Sequence, residues 1–333
     1  MQAIFLSDRA GEIARVYADA TAAHLTQAAG ASAKQYTKAE VLASPERFGD
    51  VKYIFSTWGM PHFTESEIRA IFPALECVFY SAGTVQAFAR EFLNCGVRVF
   101  SAWQANAVPV AEYVTSQIIL ANKGFFSACP AMSGGDCKGA KALAKGYPGN
   151  FDTPVGIIGT GAVGRLVCKM LKPYRLRVLA SSIELTPQLA SELGVEISDT
   201  DTIFRTCQVV SNHVANLPET VGMFKKAHFE SMVPFGVFIN TGRGAQVVES
   251  DLCAVLKARS DLTAVLDVTY PEPPEENSPL YSLPNCLLTP HIAGSSGAEV
   301  RRMSEWMCEE FERYQKGLPC PFEVTAQMLE HMA

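Results

Sequence analysis

One histidine and one arginine occupy positions from which the chain could transfer a proton and bind an anion. His291 lies in LTPHIAGSS (288–296), at the end of the apolar run CLLT. An imidazole titrates near neutral pH and can donate or accept a proton. Arg243 lies in NTGRG, just past the apolar run GVFIN, and a guanidinium can bind a carboxylate through two parallel hydrogen bonds. A lone histidine is more often structural, and Arg243 could instead form a surface pair with Glu249.

A glycine-rich turn gives a third chemical signal, for a dinucleotide. The apolar run VGIIG leads into GTGAVG (159–164), and the helical pattern RLVCKMLK follows. Gly159 allows a tight turn, Gly161 lets the backbone approach a pyrophosphate, and Gly164 lets the helix pack closely on the strand. The position of the turn between a strand and a helix makes the motif much more specific than a bare GxGxxG.

The tip of the next predicted strand leaves the choice of dinucleotide open. An acidic residue is expected there, about 20 residues after the glycines, to bind the adenosine ribose. The strand instead reads VLASSIEL, with Ser181 and Ser182 at its tip and Glu184 following. A serine neither replaces the acid nor offers the positive charge that a 2′-phosphate needs. NAD and NADP therefore both remain candidates.

Two series of apolar runs indicate the elements that position these residues. Both series alternate with helical patterns, which is typical of parallel sheets covered on both faces. The first series predicts strands at 3–6, 52–56, 77–81 and 97–100. The second predicts strands at 155–159, 177–182, 195–198, 208–212, 236–240, 262–268 and 286–289. The predicted fold class is α/β with two doubly wound parallel-sheet domains, a Rossmann dinucleotide-binding domain inserted into a flavodoxin-like substrate domain.

The segment between the two series predicts one helix and an arm. A 3-4 spacing of apolar residues predicts a helix over 106–126, with Pro109 in its first turn and Gly124 at its end. The stretch 127–150 is rich in Gly, Pro and Lys and has little periodicity, so we expect a long loop or arm.

The last amphipathic pattern sets the predicted domain boundaries. A helix is predicted over 297–317, and the second sheet has no face left for it to cover. We therefore expect this helix to return to the first domain. The substrate domain would comprise 1–104 and 295–333, and the NAD(P)-binding domain would comprise 105–294.

The composition excludes several classes of partner. The length of 333 residues favours two domains. The net charge is −6, without a run of basic residues, which argues against nucleic acid and anionic membranes as partners. We see no signal peptide and no apolar span. The ten cysteines form no CxxC pair, so we expect buried free thiols in a reducing cytoplasm and no metal site.

Four motifs in order give the chain a resemblance to a known family. They are GIIGTGAVG (156–164), INTGRGAQVVESDL (239–252), AVLDVTYPEPP (264–274) and LLTPHIAG (287–294). With the glycine turn placed after a complete α/β region, the chain resembles the D-isomer-specific 2-hydroxyacid dehydrogenases over nearly its whole length. The resemblance implies an NAD(P)-dependent oxidoreductase that interconverts a small 2-oxo acid and its D-2-hydroxy acid, and it implies a homodimer formed through residues 106–150.

The resemblance also implies a catalytic set of three residues. Reduction of a ketone needs a hydride and a proton on the carbonyl oxygen. In the family, the residue matching Arg243 binds the substrate carboxylate and carbonyl, and the residue matching His291 exchanges the proton. The residue matching Glu272 supports that histidine, because a neighbouring carboxylate favours the imidazolium and fixes its orientation.

Further contacts follow from the resemblance in the same way. In the substrate domain, the amides of Gly83 and Thr84 would contact the substrate carboxylate, and Trp58 and Met60 either shape the pocket or pack at its edge. Asp267 would hold the nicotinamide carboxamide. The full set expected to bind the cofactor is Gly159, Gly161, Ala162, Val163, Gly164, Ser182, His213, Val214, Thr241, Gly242 and Asp267.

Two residues depart from the family pattern, and two other functions are possible on the same fold. Ser182 replaces the usual acid, and Ala215 stands where many relatives have a proline, which leaves cofactor choice and affinity open. A dinucleotide-sensing co-regulator would be an alternative on the same fold, although it needs none of the three catalytic side chains. A formate or phosphite dehydrogenase is a further alternative, since fold alone does not decide function. The first domain has no evident arginine cluster for a phosphate, which disfavours phosphoglycerate.

Overall fold

Thirteen strands form two sheets in the computed structural model, which describes residues 1–330. The strands are β1 (Ala3–Leu6), β2 (Ala31–Tyr36), β3 (Tyr53–Ser56), β4 (Cys77–Tyr80), β5 (Arg98–Ser101), β6 (Phe151–Ile158), β7 (Arg175–Ser181), β8 (Glu196–Ile197), β9 (Val209–Asn212), β10 (Val237–Asn240), β11 (Thr263–Leu266), β12 (Cys286–Leu288) and β13 (Glu323–Val324). The helices are α1 (Glu12–Val16), α2 (Asp19–Ala29), α3 (Lys38–Ala43), α4 (Glu65–Ile71), α5 (Ala89–Asn94), α6 (Trp103–Ala121), α7 (Phe125–Ser133), α8 (Cys137–Ala144), α9 (Ala162–Leu171), α10 (Pro187–Leu193), α11 (Thr200–Thr206), α12 (Lys226–Glu230), α13 (Glu249–Ala258) and α14 (Val300–Gln315).

The chain divides into two units, each built on one of these sheets. The first unit comprises Met1–Asn106 and the chain from Ser295 to the end of the described residues. Its sheet has the order β13-β5-β4-β3-β1-β2, and all neighbours are parallel except β13, which pairs antiparallel with β5. The order 2-1-3-4-5 of its parallel strands is the flavodoxin-like one.

The second unit, Ala107–Gly294, contains a wholly parallel sheet of seven strands. Its order is β12-β11-β10-β9-β6-β7-β8, which is the 3-2-1-4-5-6 order of a Rossmann domain with one strand added at the edge. The direction of the strand order reverses between β6 and β9, and ligands of such sheets bind at that reversal, outside the carboxyl ends of the strands. The predicted fold class is thereby confirmed.

The core of the first unit explains why the last long helix folds onto this sheet. Apolar side chains of the central strands stack on one face, where Phe79 lies between Phe55 (5.4 Å) and Phe100 (4.7 Å). Phe311 of α14 packs edge-on against Phe55 and Phe79. The buried side of α14 is formed by Val300, Met303, Met307 and Phe311, and burial of each such side chain contributes roughly 1.5–3 kcal/mol.

Two elements of the first unit carried too weak a signal to be predicted. β2 reads ASAKQY and exposes its middle residues, because it forms one edge of the sheet. β13 has only two residues. Small or polar residues on an edge strand give neither an apolar run nor a clear alternation.

The segment over 106–150 differs from the prediction in two respects. α6 begins at Trp103, so Pro109 lies inside the helix rather than in its first turn; a proline there removes one backbone hydrogen bond, which the rest of a 19-residue helix tolerates. The expected loop over 127–150 is wrong, because α7 and α8 lie in and just before it. Asp136 caps α8 by accepting a hydrogen bond from Gly139 N (2.7 Å), a signal that the glycine content obscured.

The exposure of the cysteine side chains tests the expectation of buried thiols. All ten cysteines are free thiols. Cys129 and Cys137 are exposed, so the prediction that the thiols are buried is wrong for these two, which lie on the unpredicted helices α7 and α8.

No helix within residues 1–330 has both the length and the apolar character needed to cross a lipid bilayer.

Candidate active site

The carboxyl ends of five parallel strands present the predicted site residues of the second unit. Gly159 follows β6, His213 follows β9, Arg243 follows β10, Asp267 follows β11, and His291 follows β12. Because the carboxyl ends of parallel strands share one edge of the sheet, these residues lie along the same edge. The apolar runs that precede them are the buried strands, which explains why each polar group emerges where a run ends.

His291 and Glu272 form a direct pair. Nδ1 of His291 lies 2.6 Å from Oε1 of Glu272, and their side chains are 47% and 42% exposed. The backbone of His291 is left-handed, with φ 54°, and its N–H donates to the carbonyl oxygens of Asp267 and Thr289 (both 3.0 Å). With Nδ1 engaged by the carboxylate, Nε2 is the nitrogen that can exchange a proton with a ligand.

Asp267 anchors the segment that carries His291. It is 3% exposed. Its Oδ1 accepts hydrogen bonds from Thr289 Oγ1 (2.6 Å) and Ile292 N (2.9 Å), and its Oδ2 accepts one from Ala293 N (2.9 Å). These contacts lie on either side of His291, so they fix the backbone from which the imidazole projects. A contact with the nicotinamide carboxamide stays a prediction.

Arg243 keeps most of its hydrogen-bonding capacity for a ligand. Its Nη1 donates to the carbonyl of Gly242 (2.8 Å), and no carboxylate within residues 1–330 forms an ion pair with it. Glu249, the alternative partner, accepts instead from Ser278 Oγ (3.1 Å). Burial lowers the pKa of Arg243, and the negative charge of Glu272 acts in the opposite direction. A partly desolvated guanidinium with unused donors is suited to a carboxylate.

A buried network of three amides positions the Arg243 loop and was not predicted. The side chain of Asn212 donates to Asn240 Oδ1 (2.9 Å) and to Gln246 Oε1 (2.6 Å). Gln246 Oε1 also accepts from Arg243 N (3.2 Å), and Asn240 Oδ1 accepts from Gly242 N (3.0 Å). The available signal was that two apolar strands, VVSN and VFIN, both end in asparagine. Full pairing of such groups rigidifies the loop.

The glycine turn fits a dinucleotide. Gly159 has φ +92°, and a Cβ there would lie 2.6 Å from the carbonyl of His213; a Cβ on Gly164 would meet the carbonyl oxygen of Gly159. A Cβ on Gly161 would meet nothing within 4 Å, which leaves room for a ligand against the backbone. The turn is thus closed on the protein side and open on the other, at the amino end of α9, where backbone N–H groups favour an anion.

Two buried hydroxyl groups near these strand ends have no hydrogen-bond partner among the described residues. The Oγ1 atoms of Thr160 and Thr241 are buried and form no hydrogen bond in the described part of the chain. Buried polar groups are normally paired, so both are suited to a bound polar ligand. Burial lowers the pKa of His213 to about 3, which keeps that imidazole neutral, and its Nε2 lies 3.0 Å from Ser211 Oγ.

An ion pair between Arg165 and Glu184 lies near the tip of β7, where the ribose-binding acid was expected. Glu184 lies 3.2 Å from Nη2 of Arg165, whose Nε donates to the carbonyl of Thr160 (2.7 Å). Ser182 Oγ accepts a long hydrogen bond from Glu184 N (3.4 Å). An arginine therefore stands near the strand tip, which sequence spacing did not reveal, but its charge is paired.

The candidate substrate residues of the first unit also follow strand ends. Trp58 and Met60 follow β3, are partly buried, and pack against the core of this unit. Gly83 and Thr84 follow the neighbouring strand β4, and the carbonyl of Gly83 accepts from Ser101 Oγ (2.6 Å). The packing of Trp58 and Met60 is consistent with a role at the edge of the unit, and ligand contacts of all four residues stay predictions.

The chain is similar in sequence to known dehydrogenases and reductases. A family model described as D-isomer specific 2-hydroxyacid dehydrogenase, NAD binding domain, matches residues 131–293. The chain is 30% identical over 235 residues to D-3-phosphoglycerate dehydrogenase of Archaeoglobus fulgidus, an alignment that covers 71% of this chain and 44% of that protein. It is 29% identical over 245 residues to human glyoxylate reductase/hydroxypyruvate reductase, covering 73% and 75%.

The solved structures add support for the fold. The crystal structure of the apo form of Rhodotorula graminis D-mandelate dehydrogenase has a TM-score of 0.80 with this chain, at 18% identity, and the match covers 97% of both chains. At that identity the likeness concerns the fold alone. The chain spans about half the length of several of the curated relatives that it matches.

Proposed function

We propose that this chain is an NAD(P)-dependent oxidoreductase of the D-isomer specific 2-hydroxyacid dehydrogenase family, and that it interconverts a small 2-oxo acid and the D-2-hydroxy acid. The observation that carries this proposal is the His291–Glu272 pair at 2.6 Å, on the same sheet edge as an arginine without a carboxylate partner among the described residues. A proton donor and a carboxylate receptor are the two groups that such a reaction needs beyond the hydride.

Each of the three side chains has a distinct role in the proposed reaction. A bound nicotinamide dinucleotide would supply or accept the hydride. Arg243 binds the substrate carboxylate through its free N–H groups. His291 donates the proton from Nε2 to the carbonyl oxygen during reduction and takes it from the hydroxyl during oxidation. Glu272 holds Nδ1 of His291 (2.6 Å), which keeps the ring oriented and leaves Nε2 for the substrate.

The cofactor and the compartment are proposed from the same residues. The paired charge of Arg165 and the carboxylate of Glu184 (3.2 Å) favour NAD over NADP, because a 2′-phosphate would meet a neutralised arginine and a like charge. Ten free thiols support a reducing compartment, and we propose the cytoplasm.

A homodimer through α7 and α8 is the proposed assembly. Phe125, Met132 and Leu120 expose 45%, 55% and 39% of their surfaces and line a cavity of about 440 Å³. Exposed apolar side chains grouped in this way mark an interaction surface. Light scattering would give a mass near twice 36.1 kDa, and Met132→Asp would shift the protein to a monomer. A wild-type monomer would contradict this part of the proposal.

Two other functions are less well supported. A dinucleotide-sensing co-regulator would not need the Arg243, Glu272 and His291 set, and the names of the relatives describe dehydrogenases and reductases. One relative is a mitochondrial formate dehydrogenase of Hordeum vulgare, at 27% identity. Because oxidation of formate requires no proton relay, the Glu272–His291 pair favours a hydroxy acid.

The deciding experiment follows oxidation of NADH and NADPH with a panel of 2-oxo acids. The panel contains glyoxylate, hydroxypyruvate, pyruvate, phenylpyruvate and branched 2-oxo acids, with formate and NAD⁺ as a separate assay. His291→Ala should reduce kcat by about 10²–10⁴-fold, the usual contribution of a general acid. The matched control is His24→Ala, since His24 also forms an exposed pair with a glutamate, Glu312 (3.0 Å). Equal loss in both variants, or binding of dinucleotide without turnover, would contradict the proposal.

A further inference from the structure

A cluster of three metal-ligating side chains lies in the first unit, which contains none of the three proposed catalytic residues. His24 lies on α2, and Cys308 and Glu312 lie on α14. One imidazole nitrogen, the thiol Sγ and a carboxylate oxygen all lie within 4.8 Å of one another, and Nε2 of His24 is 3.0 Å from Oε1 of Glu312. Two helices that are far apart in the sequence thus place three different donor atoms close together.

The spacing of the donors fits a single ion. Cys308 and Glu312 are four residues apart on α14, so they project from the same face of the helix. Zinc bonds of about 2.0–2.3 Å in a tetrahedron place ligand atoms roughly 3.3–3.7 Å apart. The donor atoms lie no more than 4.8 Å apart, so on this proposal side-chain rotation brings them to that spacing.

The helix that carries two of the donors is firmly held. Met307 and Phe311, each adjacent in sequence to one donor, are fully buried, and Ser304 Oγ donates to the carbonyl of Val16 (2.7 Å). The backbone positions of Cys308 and Glu312 are therefore fixed. Glu312 has one competing contact, with Lys316 Nζ at 3.4 Å, which is a long pair on an exposed surface and is easily given up.

The donor set selects the class of ion. Magnesium and calcium prefer oxygen ligands, whereas a thiolate, an imidazole and a carboxylate together are typical of zinc. We propose that His24, Cys308 and Glu312 form a binding site for a zinc-class divalent transition-metal ion, with water completing the tetrahedron. The bound ion would link α2, near the start of the chain, to α14, near its end, and so stabilise the discontinuous first unit.

Cobalt titration of the full-length, metal-free protein tests this proposal. Co²⁺ is the probe, because a thiolate bound to it gives a charge-transfer band in the near ultraviolet and tetrahedral coordination gives intense visible bands. The wild type should show both, and added Zn²⁺ should abolish them. Cys308→Ser should lose the thiolate band, and His24→Gln should weaken Zn²⁺ binding by at least about 10-fold. Cys137→Ser, which removes an exposed thiol elsewhere, should behave as the wild type.

Thermal unfolding provides the second readout. Zn²⁺ should raise the Tm of the wild type and of Cys137→Ser, but not that of Cys308→Ser or His24→Gln. In the presence of a chelator, His24→Gln should unfold at the wild-type Tm, since its side chain is 45% exposed; this variant carries the test if Cys308→Ser folds poorly. Absence of a thiolate band in the wild type, or its persistence in Cys308→Ser, would overturn the proposal and leave an ordinary surface pair beside a thiol.

Discussion

Replacement of Asp267 by asparagine separates two roles for this carboxylate. The structure gives Asp267 three hydrogen bonds to the segment around His291, from Thr289, Ile292 and Ala293, while the family resemblance assigns it to the nicotinamide. Asparagine has nearly the same shape but no charge, and one of its two terminal atoms is a donor. It therefore cannot accept all three hydrogen bonds.

The size of the effect follows from these contacts. In its better orientation, the asparagine oxygen keeps the contacts with Thr289 and Ile292, and its NH₂ group faces the N–H of Ala293. One hydrogen bond to a charged group is lost, worth about 1.5–3 kcal/mol, and a buried donor is left unpaired. We expect the free energy of unfolding of the second unit to fall by about 2–4 kcal/mol. A shift of about 1 Å in His291 would lower kcat by roughly 10²-fold.

Urea denaturation and NADH titration distinguish the two roles. An anchor of the His291 segment predicts loss of stability in the absence of any dinucleotide. Thr289→Val, which removes one hydroxyl and keeps the charge, should show a smaller loss, of about 1–2 kcal/mol. If Asp267→Asn unfolds like the wild type and only its NADH affinity falls, the anchoring argument is refuted and the carboxylate acts on the cofactor.

Three further changes test other parts of the molecule. Burial raises the pKa of the fully buried Glu310 carboxyl, so the wild type loses stability as the pH rises through the raised pKa. Glu310→Gln should therefore be more stable than the wild type at neutral pH, but not below about pH 4. A gain in Tm that did not vary with pH would contradict this. Gly164→Ala would place a Cβ against the carbonyl oxygen of Gly159, so we expect a loss of about 1–3 kcal/mol and weaker NADH binding in a fluorescence titration, whereas unchanged affinity would count against the close helix–strand contact. Glu184→Gln frees Arg165, and the ratio of the Kd values for NADPH and NADH should shift roughly 5- to 10-fold towards NADPH; an unchanged ratio would show that this ion pair does not select the cofactor.

The sequence by itself determined the fold class and the order of the site motifs. Buried parallel strands are apolar throughout, so runs such as VGIIG and GVFIN can be predicted as strands from their own residues alone. A tight turn against a phosphate needs glycine at fixed positions, so GTGAVG was equally visible. Where these local requirements were weak, as in the edge strand β2 and in the helices α7 and α8, the prediction missed the element or took it for a loop.

Only the tertiary structure decided which side chains meet. The family motifs predicted that Glu272 supports His291, and the structure gives the contact itself. Three other contacts had no such signal: Asp267 anchors the His291 segment, buried amides surround Gln246, and His24 lies near Cys308. Each of them joins segments that follow different strands or helices. Local sequence fixes the conformation of each segment, but the contact between two segments depends on sheet order and on the packing that holds them. A side chain's chemical role therefore became specific only once the fold supplied its partner.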